Sequence, residues 1–166
     1  MTSEKTKKLV LTAIFVAIAV SGSTLSFPIF GSKCAPVQHL INVLSAVYLG
    51  PVWALLQAFC SATIRNLTGL GTLLAYPGSC FGALLSALLY KKTKHLFSAY
   101  AGEVFGTGIL GGIAAYPIAS LILGSKEAAV FTFVIPFLIS TVAGTAIAAV
   151  VTLTIKSRAD GRLGHL

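Results

Sequence analysis

Acidic residues are nearly missing from this chain: four Asp+Glu stand against twelve Lys+Arg in 166 residues, and charged residues of either sign make up only 10%. A soluble domain is about a quarter charged, so a water-covered globule is excluded. Glu103 is the only acid well inside an apolar run. That excludes paired-carboxylate hydrolysis and a ladder of intramembrane acids relaying protons. Cysteine is scarce too. Cys34, Cys60 and Cys80 are singletons with no C-x-x-C pair, which leaves zinc and redox motifs unsupported. Cys60 and Cys80 lie in apolar runs, where cysteine acts as a small hydrophobe. There is no G-x-x-x-x-G-K-[ST] and no H-E-x-x-H, so the chain carries neither a nucleotide-phosphate cradle nor that zinc site. What remains is a binder without a catalytic set, a metal site or a cofactor of its own.

What is present is hydrophobic: 56% of residues, with a mean hydropathy of +0.92. Apolar runs of spanning length make this an integral membrane protein of one domain. The net charge of +8 would suggest nucleic acid in a soluble chain. Here the positive residues cluster between apolar runs, which reads as topology information and not as a nucleic-acid surface.

The runs predict an all-α bundle of six transmembrane helices over residues 9–26, 37–49, 52–64, 73–90, 99–123 and 128–155. Lys5, Lys7 and Lys8 precede the first span, which lacks a clear cleavage pattern and is expected to stay. Gly50-Pro51 separates two short spans as two tilted helices, in preference to one broken hairpin. Six spans put the N-terminal lysines, Lys91–His95 and the basic tail (Lys156, Arg158, Arg162) on one side. The positive-inside rule makes that side, with both termini, cytoplasmic. Turns near 27–36, 65–72 and 124–127 then lie together outside. The expected location is the cell membrane, multi-pass.

Polar residues at membrane depth are costly and read as candidates for function. They fall at one-face spacing: His39 with Asn42, Tyr76 with Ser79, Glu103 with Thr107, and Tyr116 with Ser120. Arg65 and Asn66 close the third span. Polar groups on several helices suit a mainly apolar pocket with a few placed hydrogen-bonders. Each has a plainer reading. His39 can cap its helix, Arg65 can snorkel to the surface, and Tyr76 and Tyr116 can sit in an aromatic belt. Glu103, roughly 9 Å along its helix from the inner boundary, can meet a lysine, a partner protein or the pocket floor. The 64–79 stretch falls at the outer surface, where Arg65 needs no burial. Weight for ligand contact therefore moves to Asn66 and Tyr76.

Small residues form another set. Gly102/Gly106, Gly108/Gly112 and Gly78/Gly82 are spaced for close helix packing inside the bundle, while Ala13/Ala17 sit on a terminal helix with a free face.

On these residues the chain resembles the substrate-binding S component of an energy-coupling factor (ECF) vitamin transporter. The cues are the Ala13/Ala17 pair, the Leu49-Gly50-Pro51 turn and the six-span layout. Arg65-Asn66-Leu67-Thr68-Gly69, Tyr76-Pro77-Gly78-Ser79 and Gly102-Glu103 with Gly106-Thr107-Gly108 narrow the resemblance to the ThiW family. That resemblance implies capture of the thiamine precursor 5-(2-hydroxyethyl)-4-methylthiazole on the outer side, and delivery inward by toppling in the membrane. It also implies a first-loop lid carrying Lys33 and Cys34, and contact of Ala13 and Ala17 with a membrane coupling subunit. Two partner ATPase subunits would use the ATP. The substrate would touch His39, Asn42, Arg65, Asn66, Tyr76, Ser79, Glu103, Thr107 and Tyr116. The alternatives are an S component for thiamine or its hydroxymethylpyrimidine half, a small membrane enzyme using His39 or Cys34, and a self-associating channel. Trp53, the only tryptophan, is expected at the inner side, which counts against thiamine.

Overall fold

A computed structural model of the chain describes residues 3–29, 32–125 and 129–163. The expected features at Gly31, Lys126, Glu127 and Ala128 lie outside the described residues. Helix α1 spans Glu4–Ser21, with the Ser3 side chain accepting from Lys5 N and Glu4 in the first turn, and a 3₁₀ turn (Gly22–Leu25) extends it. Strands β1 (Phe27–Ile29) and β2 (Ser32–Cys34) then form an antiparallel hairpin, with Phe27 opposite Cys34. This hairpin is the one departure from the expected all-α fold among the described residues. Helices α2 (Pro36–Tyr48) and α3 (Pro51–Leu67) each begin on proline, which is preorganised for the first helical turn. Between them Gly50 takes φ 84°, a left-handed conformation that suits glycine. The sequence expectation of two separate helices holds here.

Helix α4 covers Ala75–Thr93. After it comes a continuous helical rod, Leu96–Ile122, made of α5 (Leu96–Phe105), a π segment (Gly106–Gly111), α6 (Gly112–Pro117) and a second π segment (Ile118–Ile122). Helix α7 runs Val134–Leu163. It starts later than the expected residue 128, because 129–133 are taken up by turns that close with Val134 N donating to Phe131 O. Pro136 then falls in the first helical turn, where no N–H is missed.

Helix α2 is the centre of the bundle, packed against α1, α3, α4, α5 and α7. Apolar clusters surround it. Phe15, Ala19, Ile41 and Leu49 join α1 to α2, with Trp53 at the edge, and Ala46, Ala54, Ala58, Ala83 and Ala87 join α2, α3 and α4. Polarity is inverted relative to a soluble protein. Asn42, Ser45, Gln57, Ser61 and Glu103 are fully buried, while Val52, Phe97 and Leu121 are more than three-quarters exposed. An apolar exterior of this extent requires lipid or protein cover.

Among the described residues three helical stretches are long and apolar enough to cross a membrane: Glu4–Leu25, Leu96–Ile122 and Val134–Arg158. Thus the chain is a helical membrane protein. Helix α2, at 13 residues, is roughly 20 Å long, shorter than a bilayer core. Its neighbours shield it, so its polar side chains meet protein.

Glycine permits a close approach of α5 and the π segment after it to α4. A Cβ on Gly102 would lie 2.6 Å from the Ser86 Cα, and one on Gly106 would lie 2.6 Å from the Phe81 carbonyl oxygen. Because these neighbours are backbone, Gly102→Val must push two helices apart, at a cost of about 1–3 kcal/mol. Thermal melting of the purified protein in detergent should show a clear fall in Tm. An unchanged Tm would mean that this contact does not hold the bundle.

Candidate functional site

The site is built around one carboxylate. Glu103 on α5 is fully buried, and a buried charge must be paired and hydrogen-bonded to persist. Its Oε1 accepts from Asn42 Nδ2 at 3.0 Å and Thr107 Oγ1 at 3.0 Å, and meets His39 Nδ1 at 2.9 Å. His39 and Asn42 are one helical turn apart on α2. Thr107 lies one turn beyond Glu103, at the start of the π segment, and its single hydroxyl proton has Gly78 O at 3.0 Å as the alternative acceptor. The other oxygen, Oε2, has no partner among the described residues. It faces Gly82, where a Cβ would stand 2.7 Å away, so glycine makes the room that this oxygen occupies.

The far side of the His39 ring ties in α7. Nε2 lies 2.9 Å from Ser140 Oγ, which also accepts from Ala35 N at 2.9 Å. With Glu103 ionised, His39 Nδ1 donates, and Nε2 then accepts from Ser140 when neutral or donates to it when charged. Both states are satisfied. From Asn42 the chain of bonds runs outward: Gln38 Nε2 donates to Asn42 Oδ1 at 3.1 Å, and Arg65 Nη1 donates to Gln38 Oε1 at 3.1 Å. One continuous polar network therefore links α3, α2, α5 and α7.

A cavity with about 440 Å³ of empty space, mouth included, opens against this network. The first turns of α2 and α4 form much of its wall, through Gln38, His39, Ala75, Gly78 and Ser79. Arg65 and Thr72 come from the end of α3 and the following loop, Phe137 and Ser140 from α7, and Thr107 from the π segment. Lys33 of the hairpin sits at the edge and its Nζ donates to Leu70 O at 3.4 Å. The cavity lining mixes one aromatic face with hydroxyl, imidazole and guanidinium groups. Among the described residues no group of three or more His, Cys, Asp or Glu could hold a metal ion.

The sequence candidates divide. His39, Arg65, Ser79 and Thr107 line the cavity, while Asn42 and Glu103 lie behind His39 and Thr107 in the network. Asn66 does not line it. Its Nδ2 donates to Ala62 O at 2.8 Å and Thr72 O at 3.0 Å, which ties the end of α3 to the next loop. Tyr76 points elsewhere, its hydroxyl donating to Thr63 Oγ1 at 3.1 Å and its ring 5.5 Å from Phe59. Tyr116 is also off the cavity lining, and its carbonyl accepts from Ser120 Oγ at 3.0 Å. Arg65 reverses the expectation of an unburied arginine: it is 3% exposed. Of the two first-loop residues, Lys33 borders the cavity and Cys34 is buried outside its lining.

Sequence reasoning missed Gln38, Phe137 and Ser140. Gln38 and Ser140 carried the same signal as the rest, a polar side chain in an apolar run. Phe137 carried none, since phenylalanine in such a run is ordinary.

Ala13 and Ala17 lie far from this chemistry on the sequence and face outward on α1. With Leu9, Val16, Leu56 and Cys60 they border a shallow apolar groove between α1 and α3.

Removing the hub carboxylate leaves His39 Nδ1 without its partner, and Asn42 and Thr107 with only the Ser79 and Gly78 carbonyls. Glu103→Ala is expected to cost about 3–5 kcal/mol, read as a large loss of Tm in detergent. Glu103→Gln keeps one carbonyl oxygen for Asn42 or Thr107 and should lose much less. Equal losses for the two would show that the carboxylate's acceptor role is not what holds these helices.

No curated protein and no solved structure matches this chain. A family model described as thiamine-precursor transporter protein (ThiW) matches residues 9–158. That match covers nearly the whole chain, including every helix that contributes to the cavity. The chain belongs to the ThiW family of thiamine-precursor transporter proteins.

Proposed function

We propose that the chain is the substrate-binding S component of an ECF-type importer, and that its cavity captures 5-(2-hydroxyethyl)-4-methylthiazole. The observation that carries this reading is a half-enclosed cavity with a few placed polar side chains in its wall, in a chain of the thiamine-precursor transporter family. A substituted thiazole offers a flat ring, a ring nitrogen that accepts, and a hydroxyl that both donates and accepts. Phe137 supplies the aromatic face, the part that Tyr76 and Tyr116 do not play. His39, held at both ring nitrogens by Glu103 and Ser140, gives a fixed imidazole wall, while the Ser79 and Thr107 hydroxyl oxygens, whose protons go to protein acceptors, keep lone pairs that can accept from the ligand hydroxyl.

On the positive-inside rule the basic clusters Lys5–Lys8, Lys91–Lys94 and Lys156–Arg158 mark the cytoplasmic side. The cavity then opens on the outer side of the cell membrane, in a six-span, multi-pass bundle with both termini inside. The hairpin that carries Lys33 sits as a lid, its lysine latched to Leu70 O. Release inward needs energy that this chain has no nucleotide loop to harvest. A membrane coupling subunit and two ATPase subunits provide it, and the chain itself is not an enzyme. Ala13 and Ala17, small and outward-facing beside an apolar groove, give a partner helix room to approach closely.

Two measurements test this. Calorimetry on the purified protein should show saturable binding of the thiazole, weakened about tenfold or more in His39→Ala, since losing the imidazole removes a wall of the cavity and leaves Glu103 and Ser140 without their partner behind it. A flat titration for the unmodified protein sinks the substrate assignment. Separately, Ala17→Trp fills the helix face, and should abolish co-purification with the energising subunits while leaving thiazole affinity within about twofold, as expected of sites that do not touch. Undiminished co-purification would move the docking face elsewhere.

A further inference from the structure

Arg65 is left over by the reading above. Its side chain is buried at 3% exposure and lines the cavity. A guanidinium carries five N–H donors and a permanent charge, yet among the described residues it donates a single side-chain hydrogen bond, to Gln38 Oε1. Nε is buried without a partner, and among the described residues no carboxylate lies within ion-pair distance. Gln38 is a neutral amide whose own NH₂ is committed to Asn42, so it cannot balance the charge. Buried charges are ordinarily paired, and here the side chain borders the cavity.

The surroundings have the same sign. Lys33 and His39 line the cavity and, among the described residues, no acid does. Glu103 stands behind the lining, with Oε1 held by His39, Asn42 and Thr107 and Oε2 turned to Gly82. Helices α2 and α4, of 13 and 19 residues, both start at the cavity wall, which adds the positive ends of two helix dipoles. A neutral alcohol would use almost none of this.

We propose that the Arg65 corner is an oxyanion subsite, so that among thiazole-type precursors the cavity holds best one bearing a phosphate or carboxylate group. Arg65 meets the anion with paired N–H donors, and Lys33 closes over it from the hairpin. This rests on the thiazole reading of the same cavity.

The test is calorimetry on the full-length protein with three probes: 5-(2-hydroxyethyl)-4-methylthiazole, its phosphate ester, and 4-methylthiazole-5-carboxylate. At least one anion should bind about tenfold or more tightly than the alcohol, the scale of a charge-assisted contact; which anion does so identifies the oxyanion. In Arg65→Gln that preference should fall to near unity, and Arg65→Lys should retain part of it. The proposal is overturned if the alcohol binds as well as both anions in the unmodified protein, and the thiazole assignment then stands alone. It is also overturned if Arg65→Gln keeps the preference. If none of the three probes binds, both this proposal and the thiazole assignment fall. Should Arg65→Gln not fold, the ranking in the unmodified protein and in Arg65→Lys decides.

Discussion

A carboxylate enclosed by protein is the constraint on which this structure depends. Glu103 is fully buried, and in a low-dielectric interior an unpaired polar group is expensive while a well-placed hydrogen bond is stronger than in water. The bundle satisfies it by converging donors from two helices on one oxygen: His39 and Asn42 from α2, and Thr107 from its own rod. His39 passes the connection to Ser140 on α7, and Asn42 passes it through Gln38 to Arg65 on α3. With other interhelical bonds such as Ser45 to Gln57 and Tyr100 to Thr152, this network holds these helices in one register. The same network forms the back wall of the cavity.

Glycine and alanine make that convergence sterically available. Gly82 leaves space for the carboxylate and for Thr107, Gly102 and Gly106 bring α5 against the backbone of α4, and alanines fill the contact of α2, α3 and α4. Helix α2 can then sit at the centre with polar side chains pointing at its neighbours, although it is too short to span a bilayer core unaided. Enclosing it also leaves the starts of α2 and α4 side by side, and the cavity occupies the gap between them. Function and packing thus use the same few small residues.

Much of this was legible in the sequence, and the failures have physical causes. The helix divisions came from proline and glycine punctuation: Gly50-Pro51 does part α2 from α3. His39 and Asn42 were recognisable as one-face neighbours, and Glu103 and Thr107 likewise, because helical periodicity is a local property. Arg65 was misjudged because a residue near a helix end can either snorkel outward or turn inward, and only the packing of α2 beside it selects the second. Asn66 and Tyr76 drew attention as polar residues near glycines and proline. Their partners are Ala62, Thr72 and Thr63, which belong to the scaffold. Ser140 and Phe137 are more than 60 residues from the 64–75 stretch that they face across the cavity, and no local pattern connects them.

By itself the sequence determined the class: with four acids, 10% charge and long apolar runs, no solvent but a membrane suits this surface, and no catalytic or nucleotide-binding motif is available. It also determined the helices and which residues share a face of each, since both follow from backbone geometry and local punctuation. Tertiary structure alone decided which faces meet. That choice buried Arg65, turned Tyr76 away, and set Glu103 behind the cavity in place of a lysine or a partner protein. The physical reason is that a hydrogen bond between helices depends on their relative rotation and depth, quantities to which no single stretch of chain is sensitive.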